Sequence, residues 1–176
     1  MKLRKINAVF SLLSTILLMI HAIYFAVWML SNCSIPMPPT PMSIALTVSF
    51  VIHAIISIVL MISTHKGSKN NKGKQYVKLN FATIVQRISG VFIIVFTTLH
   101  ILGAFRVMRL PYGVHFIVYP LFFTLVLVHV AISTSKAFIT LGIGNARVIK
   151  RIDVAIKVLC GATLIADVIG FFICAR

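Results

Sequence analysis

The residues of this chain that could do chemistry are four histidines, each deep inside a different long apolar segment. They are His21, His53, His100 and His129. A polar side chain at such depth in a membrane is costly unless it is paired or liganded, so each is a candidate functional residue. The simpler interpretation for any one of them is a hydrogen bond to a neighbouring helix. Four together, one per segment, favour ligand binding.

Depth sorts these histidines into two pairs. Because a helix rises ~1.5 Å per residue, His129 lies ~10 Å and His53 ~17 Å from the predicted cytoplasmic end of its helix. The same count gives ~22 Å for His21 and ~28 Å for His100. We therefore predict a cytoplasmic pair, His53 with His129, and an external pair, His21 with His100.

Two imidazoles at similar depth on different helices are what a haem iron needs as axial ligands. Neutral imidazole nitrogen binds haem iron well, and two axial histidines leave no open coordination position. The expected chemistry is electron transfer rather than oxygen activation. The two pairs predict two haem b groups, at mean depths of ~13 and ~25 Å, one above the other across the bilayer.

The elements that position these histidines are predicted to be transmembrane helices of a single membrane domain, 1–176. Mean hydropathy is +1.06 and 60% of the residues are apolar, mostly in runs long enough to cross a bilayer. This composition predicts an all-α bundle of five helices at about 6–30, 42–64, 81–105, 114–136 and 153–174. The apolar part of the link 137–152 is expected to lie in the membrane interface.

The distribution of charged residues predicts the direction in which the helices cross the membrane. The chain has 17 Lys and Arg against two acids, Asp153 and Asp167, and its formal net charge is +15. The basic residues lie mainly between the apolar segments, which indicates contact with lipid or a partner rather than with nucleic acid. Thirteen of them fall in the N-terminus, the 65–80 link and the segment 136–157. The positive-inside rule predicts a cytoplasmic N-terminus and an external C-terminus, in a bacterial cytoplasmic membrane.

The cysteines and the N-terminus exclude two other classes of protein. Cys33, Cys160 and Cys174 have no CxxC or CxxCH spacing, so we predict neither a zinc site nor covalent haem attachment. The start of the chain resembles a secretory signal, but its apolar run is too long for one. Cleavage would also discard His21, so we predict a first transmembrane helix.

Haem also needs room and partners for its propionates. Gly90 and Ser14 are small residues at the depth of the cytoplasmic haem, where they would admit the porphyrin; ordinary small-residue helix packing is the alternative for each. Cationic candidates for the propionates occur in pairs at the two membrane surfaces, Arg87 with Lys136 and Arg106 with Arg109. Each could instead be a snorkelling anchor, and Arg87 is the strongest candidate.

Three further residues are candidates for a quinone or proton site. Asp167 lies inside the fifth predicted helix, and an acid there is either paired or handles protons for a quinone. His115 opens the fourth helix at the external interface, and Gln86 lies near the cytoplasmic start of the third. His65, beside Lys66, is expected to be solvated or interfacial.

The segment Gln86-Arg87-Ile88-Ser89-Gly90, ahead of His100 on one helix, resembles the signature of the membrane cytochrome b subunit of succinate dehydrogenase and fumarate reductase. The five-helix, two-haem type of this family is the most similar. In that family the first and third ligands share the distal haem and the second and fourth the proximal one, which is the pairing that depth gives here. The resemblance covers the whole chain in topology and is specific across 86–100.

The resemblance implies partners and a substrate. These are a flavoprotein subunit with FAD and an iron–sulfur subunit, docked on the cytoplasmic face at 65–80 and 136–157, and menaquinone or another quinone. It also places Ser89 in the haem-packing segment. Some family members use a membrane-embedded Glu in proton transfer, but this chain has no Glu. That mechanism therefore does not carry over.

The sequence thus predicts a di-haem cytochrome b that anchors such a complex and passes electrons between its iron–sulfur subunit and quinone, with no catalytic residues of its own. One alternative is the cytochrome b of another quinone-linked oxidoreductase, such as a hydrogenase or formate dehydrogenase. There His115 and His129 would supply two ligands from one helix and leave a deep histidine unused. The other alternative is a haem-free anchor or transporter whose histidines bind protons or substrate.

Overall fold

The chain folds into five long helices. The structure, a computed structural model, describes residues 2–31, 40–70, 81–104 and 112–174. Its helices are α1 (Lys2–Leu30), α2 (Thr40–Asn70), α3 (Phe81–Ala104), α4 (Tyr112–Leu141) and α5 (Ala146–Cys174). Each is long and apolar enough to cross a membrane. The predicted all-α, multi-pass architecture is confirmed, while the direction in which the helices cross the bilayer stays a prediction.

Helices α1 and α4 form the centre of the bundle. Helix α1 packs against α2, α4 and α5, and α4 also packs against α3 and α5. Within the described residues, α1 and α3 share no extensive contact, and neither do α2 and α4. The packing order is therefore α2, α1, α4, α3, and α5 lies against the two central helices.

The surface and the interior follow the rules of a membrane bundle. Large apolar side chains at helical spacing face outward, as Ile84, Ile88, Val91 and Val95 do on α3. The residues buried between helices include many small hydroxyl side chains: Ser11, Ser49, Ser89, Ser133, Thr134 and Thr163. Lipid is as apolar as Leu, so helix contacts in a membrane depend on close packing and hydrogen bonds rather than on burial of large apolar residues.

The tightest helix crossing is between α1 and α5. A Cβ added at Gly170 would lie 2.8 Å from Cβ of Met29, closer than real Cβ atoms approach one another. Met29 is only 2% exposed and its neighbour along the helix face, Ala26, is also buried. Glycine at position 170 is thus what allows α5 to touch α1.

The predicted link between the last two helices is wrong. We expected helices to end at 136 and begin again at 153, with an interfacial segment between them. Helix α4 instead runs to Leu141 and α5 begins at Ala146. Two other helices are also longer than predicted, since α1 begins at Lys2 and α2 continues to Asn70.

Local turn chemistry explains this short connection. Gly142 has φ of 73°, a left-handed conformation that glycine adopts without steric cost. Its N–H donates to the carbonyl of Ile139 at 3.1 Å, and the N–H of Ile143 donates to that of Phe138, also at 3.1 Å. These two bonds form a Schellman motif that ends α4. Asn145 then caps α5, because its Oδ1 accepts from the N–H of Val148 at 3.0 Å.

Candidate functional site

The deep histidines interact in two pairs. His21 is close enough to His100 to interact with it electrostatically, and His129 is close enough to His53. The first pair joins α1 to α3 and the second joins α2 to α4, which are helices that do not pack extensively on one another. Each pair therefore spans the bundle between helices that lie across from one another. These are the two pairs that the depth count predicts, although their role as haem ligands stays a prediction.

Three of the four imidazoles have an unused ring nitrogen. Nδ1 is buried in His21, His53 and His100 and has no hydrogen-bond partner within the described part of the chain. Leaving a buried polar atom unpaired costs roughly 1–3 kcal/mol, so such atoms call for an explanation. His53 has one further neighbour, because its ring also reaches the backbone of Asn7 on α1.

The fourth imidazole, His129, is held by α3. Its Nδ1 lies 3.0 Å from Oγ of Ser89. A Cβ added at Gly90 would lie 3.3 Å from Cε1 of the same ring. The space beside Gly90, which we expected to admit the porphyrin, is therefore occupied by the imidazole of His129. The ring packs directly on the backbone of α3.

The hydrogen bonds around Ser89 determine which nitrogen of His129 carries the proton. The Ser89 hydroxyl donates to the carbonyl of Gln86 at 3.1 Å, and this uses its only proton. Oγ can then only accept from His129, so the imidazole proton is on Nδ1. The lone pair is left on Nε2, and a neutral imidazole with one N–H bonded and the other nitrogen free is the form that binds metals.

Aromatic rings lie around His100. The ring of Tyr119 stands edge-on to His100 with centroids 6.1 Å apart, and that of Phe122 is 5.9 Å away. Tyr119 also stacks on Phe171 of α5 at 6.0 Å. Our sequence reasoning missed Tyr119 and Phe122 as neighbours of His100. They precede His129 by ~10–15 Å along α4, which is about the predicted depth difference between the two pairs, so depth could have found them.

A polar cluster lies at the other end of α3 and α4. Nζ of Lys136 donates to Oε1 of Gln86 at 2.6 Å and to Oγ1 of Thr83 at 3.3 Å. Arg87 is exposed and acts electrostatically on Lys136. The structure thus brings together the two predicted cytoplasmic candidates for the propionates. Lys136 is half-buried and held in position by its hydrogen bonds, whereas Arg87 is exposed.

Asp167 is the most deeply buried acid. It is 2% exposed, and its Oδ1 has no hydrogen-bond partner among the described residues. It lies one helical turn before Phe171, whose ring stacks on Tyr119. The carboxyl group therefore belongs to the half of the bundle that holds His100.

The remaining predicted site residues divide into two groups. Ser14 forms a hydrogen bond of 2.7 Å with Ser49, which joins α1 to α2. Arg106 and Arg109 lie outside the described residues, and so do the side chains of His65 and His115. In the described ranges, no three His, Cys, Asp or Glu side chains cluster closely enough to hold a metal ion by themselves. A haem needs only two from the protein, so the prediction depends on the histidine pairs.

Comparison with protein-family models, with curated proteins and with solved structures finds no match to this chain. The resemblance to the succinate dehydrogenase and fumarate reductase cytochromes therefore depends on the segment Gln86–Gly90, on the four histidines and on the number of helices. In the structure the segment lies on α3 and the four histidines lie on α1 to α4. The family assignment itself stays a prediction.

Proposed function

We propose that this protein is a di-haem cytochrome b that anchors a succinate dehydrogenase or fumarate reductase complex in the membrane. It would pass electrons between an iron–sulfur subunit and a membrane quinone. The observation that carries the proposal is that His21 lies near His100 and His53 near His129, in each case between helices that share no extensive contact in the described residues.

The residues present fit haem as the bound group. Three imidazoles carry a buried Nδ1 with no partner among the described residues, and the fourth bonds Ser89 through Nδ1. The neutral imidazole of His129 is in the form that haem iron accepts. When bound, haem would supply one-electron chemistry, and the two histidine pairs would hold one haem each. The protein orients the imidazoles and excludes water with the rings around His100.

The polar cluster at the start of α3 supports a position for the propionates of the cytoplasmic haem. Lys136 is fixed by Gln86 and Thr83 about two turns along α4 from His129, and an ammonium donates to carboxylates. Arg87 adds a second cation nearby. In this proposal Lys136 is the principal partner and Arg87 an exposed auxiliary, which reverses the order that the sequence favours.

Asp167 is the residue that we assign to proton exchange with quinone. Quinone reduction takes up protons, and this chain contains no Glu that could deliver them. Asp167 is buried, lacks a hydrogen-bond partner at Oδ1 within the described chain, and lies on the side of the bundle that holds His100. An intramembrane acid in such a position is a functional residue by default.

Partners and orientation follow from charge. The N-terminus, the 65–80 link and the segment 136–157 hold thirteen of the 17 basic residues, so we place them on the cytoplasmic side of a bacterial membrane. A flavoprotein with FAD and an iron–sulfur subunit would dock on that side at 65–80 and 136–157. Menaquinone or another quinone is the proposed electron partner within the membrane.

One observation favours the haem-free alternative. The ring of His53 reaches the backbone of Asn7, and that of His129 bonds Ser89, so both cytoplasmic imidazoles have neighbours without any cofactor. A bundle in which histidines merely link helices would show such contacts. We favour haem because the histidines lie in two pairs, each between helices that share no extensive contact in the described residues.

The test is a reduced-minus-oxidised absorption spectrum of the purified chain. Two bis-histidine sites predict sharp b-type bands and about two haems per polypeptide. Folded protein expressed with sufficient haem supply, yet isolated without haem, would eliminate the proposal. A His115→Ala variant that loses a haem would favour the hydrogenase-type alternative instead.

A further inference from the structure

The first turns of α5, within the segment 136–157 that we propose faces the soluble subunits, form a basic surface groove. It is lined by Arg147, Lys150, Arg151, Val154 and Ala155, and its volume is about 440 Å³. The three cations are spaced i, i+3 and i+4, so they share one face of the helix. All three are exposed. We infer that this groove binds the headgroup of an anionic phospholipid.

The three cations have no acidic partner among the described residues. Asp153 is the one acid nearby, and it is already engaged, because Oγ of Ser135 donates to it at 2.6 Å and Nζ of Lys157 lies 2.5 Å from it. Among the described residues, no ion pair involves Arg147, Lys150 or Arg151. The groove therefore offers unneutralised positive charge, which complements a phosphate group.

An apolar stripe continues from the groove along α5. Val154, Val158 and Ile165 are 54%, 66% and 63% exposed. They follow one another at intervals of about one or two turns, on one side of the helix. The rise from Val154 to Ile165 is ~16 Å, close to the ~15 Å thickness of one leaflet of the hydrocarbon core. A phosphate among the cations would thus place an acyl chain along this stripe.

Among the described residues, no other helix covers the middle of the stripe. A Cβ added at Gly161 would meet no atom within 4 Å. A soluble partner could neutralise the cations but could not reach the apolar residues below them, which lie within the membrane-crossing part of α5. The combination of a cationic rim and a bare apolar stripe therefore favours a lipid over an acidic protein. Basic pockets at the cytoplasmic side of membrane helices bind anionic headgroups in this way.

The experiment is native mass spectrometry of the full chain in detergent, titrated with phosphatidylglycerol and with phosphatidylcholine of the same acyl chains. The test variant replaces Arg147, Lys150 and Arg151 with Gln. The control replaces Lys2, Arg4 and Lys5, three exposed cations at the start of α1, with Gln. Both variants lose three charges, so bulk electrostatics change equally.

We expect the test variant to bind phosphatidylglycerol on the order of 100-fold more weakly, since each cation near an anionic surface contributes roughly fivefold in affinity. The control should change by only a few fold. An equal loss in both variants, or no loss in the test variant, would overturn the inference. So would retained lipid binding together with loss of copurifying soluble subunits, because the groove would then be a protein-docking surface.

A second titration separates a lipid site from a simple anion site. Glycerol 3-phosphate carries the same charged group without acyl chains. We expect it to compete poorly with phosphatidylglycerol, because it cannot contact the stripe below the groove. Equal affinity for the two would overturn the assignment of the stripe. This inference does not depend on haem, so its outcome and that of the haem test are independent.

Discussion

The hydroxyl of Ser89 lies 3.0 Å from Nδ1 of His129 and gives its own proton to the carbonyl of Gln86. Through this chain of two hydrogen bonds, the signature segment on α3 determines the tautomer of a histidine on α4. The segment that suggests the family and the histidine that suggests the cofactor are thus parts of one structural unit. Ser89 is a positioning residue rather than a ligand.

Replacing Ser89 with Ala should weaken binding of one haem. The imidazole of His129 would lose the acceptor that keeps the proton on Nδ1, and loss of such orienting partners lowers metal affinity roughly 10–100-fold. Haem content per polypeptide and the redox titration of the two haems measure the effect. We expect the haem associated with His129 to be lost or shifted in potential, and the other to be unchanged.

A neighbouring serine provides the control for that variant. The hydroxyl of Ser133 donates to the backbone carbonyl of His129 at 2.6 Å and is also buried. Ser133→Ala removes a hydroxyl from the same helix without touching the imidazole. If both variants lose the haem alike, the effect comes from packing, and the orienting role of Ser89 is wrong.

The sequence predicted those features that depend on periodicity and depth. Five long apolar runs predicted five helices. A constant rise per residue predicted which histidines lie near one another, and their role as ligands stays a prediction. Periodicity could not predict ring orientation. The contacts of His129 with Gly90 and Ser89 depend on how α3 is rotated against α4. The depth of a residue along its helix gives no information about this rotation.

The pairing of the histidines predicts how double variants behave. Replacing both His21 and His100 with Ala should leave about one haem per polypeptide, because both ligands belong to the same iron. Replacing His21 and His53 should leave none, because one ligand is lost from each site. Haem content of purified, folded protein distinguishes the two cases.

Single variants complete that comparison. His100→Ala and His21→Ala should remove the same haem, identified by its absorption maximum and potential. Any result in which the two double variants retain equal amounts of haem contradicts the assignment of His21 to His100. Circular dichroism should show unchanged helix content, since each histidine contributes one side chain to a bundle of five long helices.

The link between α4 and α5 illustrates a different limit. The sequence predicts that the fourth helix ends at 136 and that the apolar part of the link 137–152 lies in the membrane interface. In the structure the ammonium of Lys136 donates to Gln86 and Thr83, and the helix continues past it. The residue types nevertheless indicate the observed helix ends. Gly142 is a C-terminal capping residue for α4, and Asn145 is an N-terminal capping residue for α5.

The α1 and α5 crossing predicts opposite effects for two glycines. A Cβ at Gly170 would lie 2.8 Å from that of Met29, so Gly170→Ala should destabilise the bundle by about 1–3 kcal/mol through overpacking. Gly161→Ala meets no neighbour and should stabilise α5 by roughly 0.5–1 kcal/mol, because alanine is the better helix former. Thermal unfolding in detergent measures both. Equal changes in the two variants would show that α5 does not touch α1 at Gly170.

Asp167 should show the behaviour of a residue retained for function at the expense of stability. Its carboxyl group is 2% exposed and Oδ1 is unpartnered in the described chain, and such burial costs roughly 1–3 kcal/mol. Asp167→Leu should therefore raise the thermal midpoint while lowering quinone reduction in membranes that contain the whole complex. Asp167→Asn, which keeps the shape but loses the exchangeable proton of the acid, should lower quinone reduction with little change in stability. If both variants unfold more readily and retain turnover, Asp167 is a structural residue and its assignment to proton exchange is wrong.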